Sequence, residues 1–148
     1  MIGYLDEPEE TNNTLEEING KILLHTGDIG YIDNKGLVHY KARLKRMIIT
    51  SGYNVYPANI EEIIMKHEAI SSCAVIGVPD QNKGEIVKAF ITLKEGKNAM
   101  LAKVSLQKYL KKHLAKYEQP REIEVLDELP KTRLGKIAYK ELEKYNEK

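Results

Sequence analysis

The sequence has a single cysteine, Cys73, so no intrachain disulfide can form. Cys73 sits in the apolar run up to Val78 with no catalytic base beside it, and it reads as a small buried hydrophobe. An intracellular, reducing compartment fits. Long hydrophobic runs are also missing, and none approaches the roughly twenty residues that cross a bilayer. The N-terminus, "MIGYLDEPEE", is acidic and lacks the basic region and apolar core of a signal peptide. A cytoplasmic location with no membrane span is expected. Charge of one sign is not in excess: 23 Lys and Arg face 22 Asp and Glu, for a net charge of +1. Nucleic-acid-binding domains usually carry a basic excess, so nucleic acid is not expected as the partner. The four histidines (25, 39, 67 and 113) show no ligand spacing, and neither HExxH nor CxxC occurs. No metal site is expected. There is no internal repeat and no low-complexity tract.

What remains is a chain of 148 residues with several short apolar segments. Residues 1–20 are acidic and polar and end on the turn pair Asn19-Gly20. Tyr31-Ile32 and Leu37-Val38 flank Asp33-Asn34-Lys35-Gly36, which predicts a hairpin. A second strand pair is expected over Met47–Thr50 and Tyr53–Val55, joined by Ser51-Gly52. Pro57 suits a first helical position, and "PANIEEIIMKH" has Ile60, Ile63, Ile64 and His67 on one face. His67 reads as a cap or rim residue. "SSCAVIGVPD" predicts a buried strand ended by Pro79-Asp80. In "EIVKAFITLK", Val87, Ala89, Ile91 and Leu93 alternate with Lys88, Thr92 and Lys94, the pattern of a half-buried strand. A helix is expected from Val104 to Leu114, with Lys108, Lys111, Lys112 and Lys116 as a solvated face and a phosphate-binding patch as the lesser reading. "REIEVL" predicts a last strand, and an amphipathic helix is expected over 138–145. The fold class is α+β: a small mixed sheet with a β-hairpin and about three helices, preceded by a short β-rich segment.

One segment asks for a chemical explanation. In "PKTRLGKIAYKEL", residues 130–142, a proline opens a loop that carries Lys131, Arg133 and Lys136. It is not a phosphate-binding P-loop. That pattern needs a glycine five positions before Gly135 and a Ser or Thr after Lys136, and the chain has Pro130 and Ile137. Lys136 is therefore read as a mobile point charge on a flexible loop, able to stabilise charge on a carboxylate or phosphate during transfer. By itself the loop reads first as an ordinary surface connection before a helix, and the charge role is the lesser reading.

Four stretches then stand in order: "LLHTGDIGYIDNKGLVHY", "ARLKRMIITSGYNVYPANIEEI", "AVIGVPDQNKGEIVKAFI" and "LPKTRLGKIAYKEL". Together they resemble the C-terminal part of the adenylate-forming ligases, the superfamily of acyl-CoA synthetases, peptide-synthetase adenylation domains and luciferases. The resemblance covers essentially the whole chain. It implies an AMP-forming acid–thiol ligase, in which ATP and a carboxylic acid give an acyl-adenylate and pyrophosphate, and a thiol such as CoA then takes the acyl group. Mg²⁺ would accompany ATP.

The resemblance also implies roles. Asp28, in Thr26-Gly27-Asp28, would accept from the ribose hydroxyls, and Arg43 would contact the same region. Lys45 would be the hinge. Gly52 and Tyr53 would border the passage for the pantetheine arm of CoA, where a side chain at Gly52 would crowd. Lys136 would bridge the carboxylate and the α-phosphate during adenylation. Two features depart from the pattern: Ala42 replaces a usual glycine, and Thr50-Ser51 stand where many members have a lysine.

Residues 1–42 would be the tail of a large N-terminal domain, and 43–148 the small mobile domain. The partners implied are that large domain, the acid and CoA. Without the large domain's phosphate loop and acyl pocket, this chain alone is expected to be inactive. Residues 20–42, stripped of their partner surface, would be prone to self-association. Two other readings stay open: a carrier-protein thiol as acceptor, and a non-catalytic binding module with the same fold.

Overall fold

A computed structural model describes residues 1–146 of the chain. Its contacts divide it into two units, Met1–Lys45 and Arg46–Lys148.

The first unit consists of local pairings without a core. A short helix, α1 (Pro8–Thr14), leads into the hairpin β1 (Leu15–Ile18) and β2 (Lys21–Leu24), turned at Asn19-Gly20. Neither α1 nor β1 shows in the sequence pattern, because almost nothing there is buried. The hairpin β3 (Asp28–Ile32) and β4 (Val38–Arg43) forms where expected. Asp33 shapes its turn, accepting at Oδ1 from the N–H groups of Lys35 (2.8 Å) and Leu37 (3.0 Å). Ala42 is the one fully buried residue of this unit. Ile22, Leu23, Leu24, Tyr31, Ile32, Leu37 and Val38 are all exposed.

The second unit has the core. Its sheet runs β6 (Tyr53–Val55), β5 (Ile48–Thr50), β8 (Gly84–Leu93), β7 (Ile70–Asp80), with β9 (Glu122–Val125) parallel to β8. One face is covered by α2 (Pro57–Met65) and α3 (Ala99–His113), which bring Ile60, Ile64, Leu106 and Leu110 against Val75, Val87, Ala89 and Ile91. The other face holds Ala74, Ile76 and Phe90 under Leu129 and Leu142, the latter from α4 (Tyr139–Glu143). A small α+β unit with a mixed sheet is what the pattern predicts.

Several details differ. β8 is covered on both faces, not half-buried. The alternation is real, but Lys88 is drawn in by Glu122 (3.4 Å) and Glu124 (2.9 Å) of β9. Thr92 Oγ1 shares a hydrogen bond of 2.6 Å with Ser72 Oγ. β7 runs through Pro79, which is tolerable because β7 lies at the sheet edge and owes no N–H there. α3 starts five residues early: Asn98 caps it, accepting at Oδ1 from Leu101 N–H at 3.1 Å. Met100 and Leu101 in that first turn are exposed and hide the start from any amphipathic pattern. His67 is buried rather than at the rim. Its Nδ1 accepts from Ala69 N–H (3.3 Å), which leaves Nε2 to meet Ser105 Oγ at 3.0 Å and tie α2 to α3.

Candidate functional site

The candidate residues fall in both units: Asp28, Arg43 and Lys45 in the first, Gly52, Tyr53 and Lys136 in the second. In the first unit the pairing register does the positioning. Asp28 opens β3 and Arg43 closes β4 directly opposite. Arg43 Nε donates to Asp28 Oδ1 at 2.9 Å. Asp28 N–H donates to Thr26 Oγ1 (3.1 Å), and Leu44 N–H donates to Gly27 O (2.7 Å), which holds the Thr-Gly-Asp turn beside the end of β4. Both side chains are partly open to solvent, so the pair adds about 0–1 kcal/mol to stability. It presents a carboxylate whose second oxygen has no partner among the described residues. Lys45 follows in a 3₁₀ turn, 85% exposed, with Glu10 3.7 Å away.

In the second unit, Ser51 (φ +50°) and Gly52 (φ +82°) make a two-residue turn between β5 and β6. Ser51 N–H donates to Lys83 O at 2.8 Å and fixes the turn against the β7–β8 loop. A Cβ at Gly52 would meet nothing within 4 Å, so the local demand for glycine is the positive φ, not crowding by this chain. Tyr53 stacks on Tyr117, with ring centroids 4.4 Å apart and planes 9° from parallel. The two rings line a cleft of about 270 Å³ with Lys83, Lys116, Gln119 and Arg121. Lys116 thus lines a cleft and does not continue the solvated helix face, because α3 ends at His113. Tyr117, Lys83 and Arg121 carry no periodic signal. The one available clue was a basic–aromatic mix in the connection "AKYEQPR". A larger open groove of about 840 Å³ between α3 and β9 includes none of the candidate residues.

The loop around Lys136 is a closed hairpin rather than a flexible strap. Lys131 and Ile137 pair as an antiparallel bridge. Thr132 N–H donates to Lys136 O (2.7 Å), Lys136 N–H to Thr132 Oγ1 (3.2 Å) and Ala138 N–H to Pro130 O (2.8 Å). Gly135, at φ +76°, makes the reversal and donates to Thr132 O at 2.9 Å. Lys131 is engaged with Glu128, whose carboxyl it holds below its usual range. The side chains of Arg133 and Lys136 are exposed and have no polar partner among the described residues. An uncompensated ammonium on a fixed turn is suited to meet anions supplied from outside.

Cys73 is inert in this setting: burial, and then the nearby Glu61, push its thiol up to about 12. Among the described residues no cluster of His, Cys, Asp or Glu could hold a metal ion, and no helix is long and apolar enough to cross a membrane.

Comparison with known proteins gives a consistent result. The family described as "AMP-binding enzyme C-terminal domain" matches residues 59–136. A long-chain-fatty-acid–CoA ligase of Bacillus subtilis is 43% identical over 96% of the chain, which corresponds to 24% of that protein. The 3-[(3aS,4S,7aS)-7a-methyl-1,5-dioxo-octahydro-1H-inden-4-yl]propanoyl:CoA ligase of Mycobacterium tuberculosis is 39% identical over 96% of the chain and 27% of its own length. Among solved structures, ATP-bound MatB from Rhodopseudomonas palustris superposes with a TM-score of 0.84 at 32% identity, covering 97% of this chain and 27% of that one. The chain spans about a quarter of the length of the curated relatives it matches.

Proposed function

The chain belongs to the family of AMP-binding enzyme C-terminal domains, and from that premise we propose that it serves an ATP-dependent carboxylic acid–CoA ligase as its small domain. Carboxylate attack on the α-phosphate of ATP drives two anions together. Lys136 reduces their repulsion and stabilises the charge that develops. The observation that carries this reading is the Lys136 ammonium on a closed hairpin: the charge is placed, yet no group among the described residues neutralises it. Asp28, steadied by Arg43, accepts from the ribose diol.

Residues 1–42 belong to the large domain in this reading, and 43–148 form the mobile one. The first unit lacks a core because its partner surface is that large domain. Lys45 is the hinge, beside the division of the chain at Lys45 and Arg46. Mg²⁺ would be held mainly by the large domain. Alone, the chain has too few groups to hold ATP and is silent. Acid-dependent AMP release by the isolated chain would refute that.

The acceptor is CoA. Three cations and a stacked tyrosine pair beside Gly52 suit a thiol that carries phosphates and an adenine ring. A carrier-protein thiol brings one phosphate and no base, and uses this cleft less fully. The acid is not chosen by these residues: the two relatives above share about two-fifths of the sequence, and their names give a fatty acid and a bicyclic propanoate.

The deciding experiment separates the half-reactions in the intact ligase. Lys136→Ala is expected to slow acid-dependent pyrophosphate release by about 10²-fold or more. Thioester formation from supplied acyl-adenylate should stay within a few-fold. Equal losses in both would sink the assignment, and full activity would favour a non-catalytic module.

A further inference from the structure

One carboxylate oxygen in the second unit gathers donors from three directions. Glu61 of α2 accepts at Oε1 from Arg46 Nη2 (2.6 Å), from Val75 N–H on β7 (2.9 Å) and from the hydroxyl of Tyr139 at the start of α4 (3.3 Å). The Arg46 guanidinium lies 3.7 Å from the centroid of the Tyr139 ring, and its Nη2 also donates to Val75 O at 3.3 Å. The Arg46 and Glu61 side chains are only 27% and 17% exposed. Burial, and next Glu61, push the Tyr139 hydroxyl up to about 12, so it remains protonated and a donor.

A shielded ion pair is weak evidence for a stabilising role, since apolar residues can fill the same space at least as well. Charge-assisted hydrogen bonds to a single oxygen do something apolar contacts cannot: they fix orientation. The placement of the three residues gives that fixing a purpose. Arg46 directly follows Lys45. Tyr139 is the third residue after Lys136, separated from it only by Ile137, which closes the hairpin, and Ala138, which donates to Pro130. Leu142 seats α4 on the apolar face of the sheet.

We propose that Arg46, Glu61 and Tyr139 are positioning residues that lock the Lys136 hairpin to the segment leaving Lys45, so that the two move as one body. The functional part of this rests on the adenylation role given to Lys136 above. With the lock in place, a rotation about Lys45 is delivered to the Lys136 ammonium without slack. Without it, the hairpin keeps its fold but loses its bearing. Misplacement by about 1 Å is enough to cost an enzyme roughly a hundredfold.

Arg46→Leu, Glu61→Gln and the milder Tyr139→Phe test this in two settings. In the chain itself, amide hydrogen exchange reads the hairpin through Thr132 and Ala138, and the sheet through Ala89 and Ile91. Exchange at the hairpin should rise about tenfold in the first two variants and a few-fold in Tyr139→Phe, with the sheet amides changed by less than about twofold. In the intact ligase, acid-dependent pyrophosphate release should fall by about tenfold or more at unchanged KM for ATP, with thioester formation from supplied acyl-adenylate within about twofold. Exchange that rises equally in hairpin and sheet, or nowhere, overturns the lock. Loosened hairpin amides with undiminished adenylation overturn its positioning role. If Lys136→Ala itself spares adenylation, the functional reading fails, while the exchange result still decides the lock.

Discussion

Arg43 donates to Asp28 across the open end of the β3–β4 hairpin, 2.9 Å from Nε to Oδ1, and the contact is exposed. A surface pair of this kind contributes little to folding, about 0–1 kcal/mol. Asp28→Asn is therefore expected to leave the chain's thermal unfolding almost unchanged. In the intact ligase it should raise KM for ATP by about tenfold, because one charged acceptor for the ribose is lost. Steady-state kinetics beside a melting curve separates the two effects, and a large stability loss with unchanged KM would contradict the assigned role.

Gly52 gives a prediction of opposite kind. No atom of the described residues would touch its Cβ, yet its φ of +82° is costly for any residue with a side chain. Gly52→Ala should destabilise the isolated chain by about 1 kcal/mol, and Gly52→Asn by less, since asparagine tolerates the left-handed region. Urea unfolding checks this. If the pantetheine passage also runs here, thioester formation in the intact ligase should fall further than that stability loss accounts for.

The exposed apolar side chains of the first unit carry a third prediction. Ile22, Tyr31, Ile32, Leu37 and Val38 are exposed among the described residues. The isolated chain should self-associate with rising concentration, and Val38→Lys with Ile22→Lys should reverse it. Light scattering reads the outcome. A strictly monomeric chain whose residues 20–42 resist protease would mean that this unit is complete without a large domain.

Parts of this fold are legible in the sequence alone. Pro57 and the isoleucines after it mark α2, and Ser51-Gly52 marks the β5–β6 turn, because in each case the signal and its cause lie within a few residues. The burial of β8 on both faces is not legible there, for the opposite reason. The alternation of Lys88 and Thr92 with apolar neighbours reports the pleat, but cannot report that Glu122 and Glu124, more than thirty residues later, will draw Lys88 inward. The candidate roles of Asp28, Gly52 and Lys136 came from resemblance and not from pattern. Neither guide gave Tyr117 or Tyr139 a role: an aromatic in a connection, as Tyr117, or at the start of a helix, as Tyr139, says nothing until its ring partner, Tyr53 or Arg46, is known.

Phe90 is the only phenylalanine and is wholly buried where the second face of the sheet meets α4. Phe90→Ala should cost about 3–5 kcal/mol, through lost transfer energy and the cavity left among Ala74, Ile76 and Leu142. A domain of this size has about 5–15 kcal/mol in all, so the variant should unfold at markedly lower urea. A loss below about 1 kcal/mol would show that α4 does not truly cover this face.

The alkaline side of the stability curve tests the buried surroundings of Glu61. Burial raises both Cys73 and Tyr139 to about 12 in the folded chain, with Glu61 acting in the same direction. In the unfolded chain these groups titrate near about 8.5 and 10. Below those values both states are protonated and the full stabilisation is present. As pH rises past about 8.5 and then 10, the unfolded chain releases protons that the folded chain keeps, so unfolding becomes easier until the folded groups titrate near 12. Stability to urea should therefore decline between about pH 9 and 11. Cys73→Ala should remove the earlier part of the decline and Tyr139→Phe the later part, each leaving the other in place. A flat profile in the unsubstituted chain would mean that solvent reaches the Glu61 cluster.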